Sequence, residues 1–148
     1  MAFAARDPTY TITPASLFGA ADSADHELLT IHLEYNDLLV SMEAASSGVW
    51  QKRAAILHAL GRYEEAVEAC DHVLATEPHN AEVLFQRGVA LQLLALQLAG
   101  GVFPETLDQD ASVILGEAAE CFRQVLAGNP EDAEANQYLV SLRCLLYT

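Results

Sequence analysis

Basic residues are scarce in this 148-residue sequence, in which seven Lys and Arg stand against 21 Asp and Glu. The formal net charge of −14 repels nucleic-acid phosphates and anionic lipid headgroups, so functions in nucleic-acid binding or at membrane surfaces are disfavoured. Two interpretations of the charge remain open. It attracts a partner protein that carries a basic patch, or it only keeps an apolar-rich chain in solution.

Cysteines are few and show no paired spacing. Cys70, Cys121 and Cys144 are an odd number without a CxxC motif, which argues against a disulfide framework and against a zinc knuckle. The sequence also lacks the apolar core of a signal peptide and any apolar run of the roughly 18 residues that a membrane span needs. We therefore predict an intracellular, cytoplasmic protein in a reducing environment.

Catalytic and cofactor-binding motifs are missing as well. The five histidines form neither an HExxH nor an HxxxH motif, and none pairs with a cysteine at ligand spacing. Gly100 and Gly101 are not followed by the Lys-Ser/Thr of a phosphate-binding loop. We predict a protein that is not an enzyme, with no catalytic residue, no metal site and no cofactor. A Cys/His hydrolase, assembled between helices, is the remaining enzymatic alternative.

Apolar residues, by contrast, recur at steps of three and four over most of the chain, which is the period of amphipathic helices. No segment shows sustained strand alternation, so the pattern predicts an all-α fold with a single helical domain over 25–148. An N-terminal arm at 1–24, rich in Thr, Pro, Ala and Ser, is expected to be partly extended. In the leading helix, 25–46, the recurring apolar residues are Leu28, Ile31, Tyr35, Leu38, Leu39 and Met42.

Two stretches of the chain repeat one another. VLATEPHNAE at 73–82 reappears as VLAGNPEDAE at 125–134, with Val-Leu-Ala, Pro and Ala-Glu at the same places. Seven residues upstream of each copy stands an alanine, Ala66 in the first and Ala118 in the second. A Gly-x-Tyr-x-x-Ala run precedes the first copy and ends at Ala66. Internal self-similarity of this kind indicates a repeat architecture.

These features resemble the tetratricopeptide repeat, a helix-turn-helix unit with a period of about 34 residues. The resemblance implies about two and a half repeats, at 47–80 and 81–132, and a closing helix at 133–148 that caps the stack, while the leading helix caps the other end. The residues that match the bulky, small and proline positions of the repeat, and that we expect to pack the helices together, are Trp50, Ala54, Tyr63, Ala66, Pro78, Gly88, Ala118, Phe122 and Pro130.

The second repeat is longer than the first. It spans 52 residues against 34, so it carries 18 more, which fall between its two helices around 95–112. Because helical periodicity continues on both sides of this region, we predict an elongated hairpin of two long helices. The whole stack is expected to be an α-solenoid of about six helices in antiparallel hairpins.

The resemblance implies a non-catalytic protein–protein interaction module, since repeat stacks of this kind bind partners on a concave groove. We predict an adaptor, or a small subunit of a larger assembly, that binds a protein through the groove, the elongated hairpin or both. The alternative is a self-associating protein whose hairpin mediates homo-oligomerisation. The candidate partner-binding residues are Gln51, Ala55, Phe85, Val89 and Gln92 on the groove side, and Leu94, Leu98, Val102 and Phe103 on the hairpin.

One subclass of the family can be compared directly with the sequence. Co-chaperone members grip the C-terminal carboxylates of a heat-shock chaperone with Lys, Asn and Arg from their first helices. The positions that we compare with these hold Gln51, Ala55, Gln86, Glu134 and Tyr138. A glutamate repels a carboxylate. We therefore predict that a heat-shock chaperone tail is not the partner.

Overall fold

The computed structural model describes residues 23–42, 46–101 and 109–146, in which all regular secondary structure is helical. The helices are α1 (Ser23–Ser41), α2 (Ser47–Ala59), α3 (Tyr63–Thr76), α4 (Ala81–Leu98), α5 (Gln109–Gly128) and α6 (Ala133–Leu146). Each helix packs against the next one in the chain, and α2 also contacts α4. The prediction of an all-α, tetratricopeptide-like hairpin stack is confirmed.

Glycines end the first helix of each hairpin. Gly61 and Gly100 both have positive φ angles, 78° and 81°, a conformation that glycine adopts without the steric penalty of a Cβ. After α2, the backbone N–H of Gly61 donates to His58 O at 3.0 Å and that of Arg62 donates to Leu57 O at 2.9 Å. This pair of bonds is a Schellman motif, and the Gly100–Gly101 pair makes the equivalent bonds after α4.

Proline and a polar cap separate one hairpin from the next. Pro78 lies between α3 and α4, and two residues later Asn80 Oδ1 accepts a hydrogen bond from Val83 N at 3.2 Å. Pro130 lies at the equivalent place after α5, and two residues later Asp132 Oδ1 accepts from Ala135 N at 3.0 Å. Each Pro-x-Asn/Asp sequence therefore ends one repeat and caps the first helix of the following unit.

The second hairpin is elongated, as predicted. Its helices α4 and α5 contain 18 and 20 residues, whereas α2 and α3 contain 13 and 14. The added length is packed, because Leu91, Ala95 and Leu115 are all buried in one cluster with the rest of the second repeat. The Gln97 side chain also donates from Nε2 to Gly61 O at 3.3 Å. This bond joins the added length of the second hairpin, which we call the extension, to the turn of the first hairpin.

The leading helix α1 packs with a different face from the one that its periodicity indicates. Its buried residues are Leu33 and Asn36, while four of the recurring apolar residues, Ile31, Tyr35, Leu38 and Met42, are exposed. Polar contacts explain this choice of face. Asn36 Nδ2 donates to Val49 O at 3.0 Å, and the guanidinium of Arg53 on α2 binds the side chains of Asn36 and Asp37. The helix also begins at Ser23, within the predicted arm.

Candidate partner-binding groove

Three aromatic rings join α4, α5 and α6. The ring of Phe122 on α5 is completely buried and stacks on Tyr138 of α6, with centroids 5.2 Å apart and planes 11° apart. Phe85 of α4 meets both rings edge-on, each at a centroid distance of 5.5 Å. Such offset and edge-to-face aromatic pairs add stabilisation beyond their buried area. The three helices are therefore held in one fixed arrangement beside the groove described next.

A close approach of α4 to Phe122 brings these rings together. A Cβ placed on Gly88 would lie 2.8 Å from Phe122 Cζ, closer than non-bonded carbon atoms approach. Gly88 is itself buried inside α4, where its φ is ordinary. The absence of a side chain at this position, rather than backbone freedom, is what the packing requires.

A cavity of about 350 Å³ opens between α4 and α6, above the aromatic cluster. Among the described residues, its lining is polar and contains one acidic and no basic residue: Gln92, Glu134, Gln137, Tyr138 and Ser141. We call this cavity the groove. Gln92 comes from the first helix of the second repeat and the other four come from α6, so adjacent first helices form its two walls.

Two glutamine oxygens on α4 are buried without a hydrogen-bond partner in the part of the chain that the structure describes. They are Oε1 of Gln92, which lines the groove, and Oε1 of Gln86, less than two turns earlier on the same helix. An acceptor that is buried and unpaired destabilises the folded state by about 1–3 kcal/mol. Because the Gln92 oxygen is enclosed, the side chain would have to turn toward the groove before a bound group could donate a hydrogen bond to it.

The Tyr138 hydroxyl stays protonated in the groove. Burial raises the pKa of Tyr138 above its ordinary value of 10.0, and the negative charge of Glu134 raises it further. The phenol therefore carries no charge near neutral pH. Glu134 is then the source of the groove's negative charge.

Sequence reasoning missed an ion-pair network beside this region. Arg87 on α4 donates from Nε to Asp71 Oδ1 of α3 at 2.8 Å and from Nη1 to Cys121 Sγ of α5 at 3.1 Å, and its Nη2 lies 3.7 Å from Glu117. The side chain thus joins both repeats across the boundary between them. The sequence contained one indication of this network, because Arg87 is the only basic residue of α4.

The family comparison matches residues 47–90 to the tetratricopeptide repeat. This segment is similar to a tetratricopeptide repeat, which is consistent with the helical hairpin stack. The match covers α2, α3 and their connection, and continues through Ala90 into α4. No curated protein and no solved structure matches the chain. The rest of α4 and the whole of α5 lie beyond the match and continue the same helical stack.

The residues that fit the repeat pattern occupy three kinds of place. Ala54, Ala66, Gly88, Ala118 and Phe122 are buried between helices, whereas Pro78 and Pro130 are exposed in the exit turns and Trp50 and Tyr63 are half-buried. The Trp50 ring stacks on His72 of α3 at a centroid distance of 3.9 Å, with planes 8° apart. The Tyr63 ring meets His58 edge-on at 5.2 Å. Both large aromatics of the repeat thus link α2 to α3.

The predicted groove-side residues are not all placed together. Gln92 lines the groove, and Phe85 lies half-buried against Tyr138 beside it. Gln51 is half-buried on α2 and does not line this cavity. Ala55 and Val89 are 9% and 2% exposed, so their side chains belong to the core. Their helices are covered on several sides: α2 contacts α1, α3 and α4, and α4 contacts α2, α3 and α5.

The predicted hairpin residues also differ from one another. Leu98, at the end of α4, is 66% exposed, whereas Leu94, one turn earlier, is half-buried. Val102 and Phe103 lie outside the described residues. In the added length of this hairpin, the described large apolar side chains that are exposed are therefore Leu98 and, on α5, Val113.

Across 23–42, 46–101 and 109–146, none of the helices has both the length and the apolar character that a membrane crossing requires. In the same residues, His, Cys, Asp and Glu side chains do not gather in groups of three that could hold a metal ion.

One buried thiol gives a prediction about stability at high pH. Burial raises the pKa of Cys70 from 9.0 to about 12, with a smaller contribution from the Asp71 carboxylate. Because the folded-state pKa is the higher one, the contribution of this thiol to stability is complete below pH 9 and is lost as the pH rises toward 12. We expect Cys70 to lower the free energy of unfolding by about 1.4 kcal/mol per pH unit in that window.

The measurement is urea unfolding of the wild type and Cys70→Ala at several pH values above 9. The difference in the free energy of unfolding between the wild type and Cys70→Ala should change with pH by about 1.4 kcal/mol per unit. Cys144→Ala, which removes an exposed thiol of α6, is the control for the substitution itself. Parallel pH profiles for the wild type and Cys70→Ala would contradict the prediction.

Proposed function

We propose that this protein is an adaptor, or a small subunit of a larger assembly, that holds a partner protein in the groove between α4 and α6. A tetratricopeptide repeat suggests a protein–protein interaction module. The groove supplies the specific support, because it lies between the first helices of successive units, where stacks of this kind present their concave surface.

The chemistry of the groove favours a partner that donates hydrogen bonds. Gln92 offers a buried acceptor without a partner among the described residues, and Glu134 adds a negative charge to the same cavity. Backbone N–H groups and Lys or Arg side chains meet both requirements. The net charge of −14 also attracts a partner with a basic patch. The carboxylates of a heat-shock chaperone tail would face Glu134 and are disfavoured.

The protein is further proposed to act without catalysis and in the cytoplasm. Tetratricopeptide repeats are generally non-catalytic, which supports the first statement. The second is supported by Cys70 and Cys121, two thiols that are buried and form no disulfide, as in proteins of a reducing compartment.

Affinity purification with matched charge variants tests the groove. The groove variant is Glu134→Lys/Gln137→Lys, and the control is Glu120→Lys/Gln124→Lys, which makes the same change at exposed positions of α5 outside the groove. Proteins captured by the wild type should also be captured by the control and lost with the groove variant, because its two ammonium groups repel a donor-rich partner. Capture of the same proteins by both variants would overturn the proposal.

The hairpin is a second candidate surface, favoured by the exposure of Leu98. A second copy or a protein partner that covers this side chain would bury apolar area now in water. Light scattering at several concentrations distinguishes a second copy from a different protein as the group that covers Leu98. If the hairpin mediates homo-oligomerisation, the wild type should associate as concentration rises and Leu98→Glu should stay monomeric with unchanged helicity. Equal masses for both proteins at all concentrations would exclude self-association through Leu98.

A further inference from the structure

The outer face of α1 exposes a continuous apolar stripe. Ile31, Tyr35, Leu38 and Met42 are 59%, 64%, 54% and 66% exposed, and they are four of the seven large apolar side chains exposed among the described residues. We call them the α1 stripe. Contiguous exposed apolar surface of this kind is typical of an interaction site, whereas single exposed apolar residues are ordinary.

The contacts of the opposite face fix the stripe in this outward position. Leu33 packs into the core of the first repeat, and the buried Asn36 donates to Val49 O of α2. Arg53 of α2 binds the Asp37 carboxylate from the same side. Rotation of α1 to bury the stripe would break these polar contacts and leave the amide of Asn36 without them. Among the described residues, none covers the stripe, which leaves it exposed for a partner.

The spacing of the stripe fits a helix as its occupant. From Ile31 to Met42 the intervals are four, three and four residues, and the half-buried Leu28 extends the series by three residues toward the start of the helix. Alternation of three and four residues places apolar side chains along one seam, which packs against a similar seam of a second helix in a coiled coil.

The charges beside the seam determine which charged side chains a partner helix needs on its own flanks. Glu27 and Glu34 are exposed, lie seven residues apart and follow one edge of the stripe, and α1 contains no Lys or Arg. In a coiled coil, these flanking positions face the flanks of the other helix and set partner choice. A second copy in antiparallel orientation would place glutamate against glutamate, and in parallel orientation it would offer no lysine or arginine.

We propose that the α1 stripe binds an amphipathic helix of a partner protein that has a heptad apolar seam flanked by Lys or Arg. This surface is separate from the groove, since α1 packs on α2 and the groove lies between α4 and α6. The protein thus has two binding faces, one for a donor-rich segment and one for a basic helix. Two separate faces are what an adaptor requires.

A synthetic helix of about three heptads, with Leu along the seam and Lys on both flanks, is the probe. Its binding to the full chain is measured by fluorescence anisotropy, next to a peptide with Glu flanks and a scrambled peptide of the same composition as the Lys peptide. The Lys peptide should bind at least about tenfold more tightly than either control, because it alone satisfies both the seam and the charges. Equal binding of the scrambled peptide, or no binding of the Lys peptide, would overturn the proposal.

Matched variants locate the binding. Ile31→Ser/Leu38→Ser should lose the Lys peptide, while Val113→Ser/Val140→Ser, which makes the same kind of change at exposed positions of α5 and α6, should retain it. Glu27→Lys/Glu34→Lys should reverse the preference toward the Glu peptide. The groove variant Glu134→Lys/Gln137→Lys should bind the Lys peptide like the wild type, so failure of one surface is distinguishable from failure of the other.

Two outcomes would contradict the assignment. One is wild-type binding of the Lys peptide by Ile31→Ser/Leu38→Ser, with circular dichroism showing that its helices are intact. The other is a dimer of the wild type that this variant converts to a monomer, because the stripe would then be covered by a second copy.

Discussion

Replacement of Leu115 by Ala is expected to lower the free energy of unfolding by about 3 kcal/mol, because it removes a fully buried side chain and leaves a cavity. Leu115 is on α5 and shares a buried cluster with Leu91 and Ala95 of α4. These residues lie in or near the region where the second repeat exceeds the first. The expected loss follows from the extension being part of the core.

Val113→Ala is the matched control for this change. Val113 is on the same helix two residues earlier and is 55% exposed, so its replacement should alter the free energy of unfolding by no more than about 0.5 kcal/mol. Urea unfolding of both variants gives the comparison. If Leu115→Ala were as stable as Val113→Ala, the long hairpin would be a peripheral insertion that the stack does not need.

Gly88→Ala should also destabilise the protein, by about 2 kcal/mol, although alanine favours helices more than glycine does. The new methyl group would lie 2.8 Å from Phe122 Cζ, and this fully buried ring contacts the rings of Phe85 and Tyr138. Overpacking of this kind forces shifts of the side chain or backbone.

Gly116→Ala makes the same chemical change where it is harmless. Gly116 is inside α5, and a Cβ there would meet nothing within 4 Å. This variant should gain up to about 1 kcal/mol from helix propensity. The two substitutions should therefore have opposite signs in thermal or urea unfolding. Phe122→Leu should relieve part of the loss in the Gly88→Ala background, and equal stabilisation by both alanines would contradict the close approach.

The course of the chain was predictable because local signals determine it. Gly61 and Gly100 each end a first helix, and the paired Pro-x-Asn/Asp sequences at Pro78 and Pro130 separate the units. Local geometry decides such positions, since a positive φ or a missing N–H is a property of one residue. The matched tetratricopeptide repeat at 47–90 follows the same signals.

The packing face of α1 was not predictable from its periodicity. The most regular apolar series, which includes Ile31 and Leu38, is the exposed one, while the packed face contains the polar Asn36. Hydropathy alone therefore predicts that the wrong face of α1 is buried. The contacts to Val49 and Arg53 that reverse the order involve residues 13 and 17 positions away, so no local pattern reveals them.

The groove was only partly foreseeable for a similar reason. Its position on the first helices follows from the repeat architecture, which brought Gln92 into the candidate set. Gln137 and Ser141 were missed because their place on the groove wall depends on how α6 docks against α4. The Gln92 oxygen has no hydrogen-bond partner among the described residues, and this too depends on the surrounding tertiary structure and leaves no sequence signal.

Site-specific photo-crosslinking tests most directly whether the groove holds a partner. A photoreactive amino acid replaces Gln137 on the groove wall in one protein and Gln124, exposed on α5 outside the groove, in another. Irradiation in cell extract should join a partner protein to position 137 and leave position 124 unmodified. Cross-linking from position 124 without any from position 137 would contradict the account.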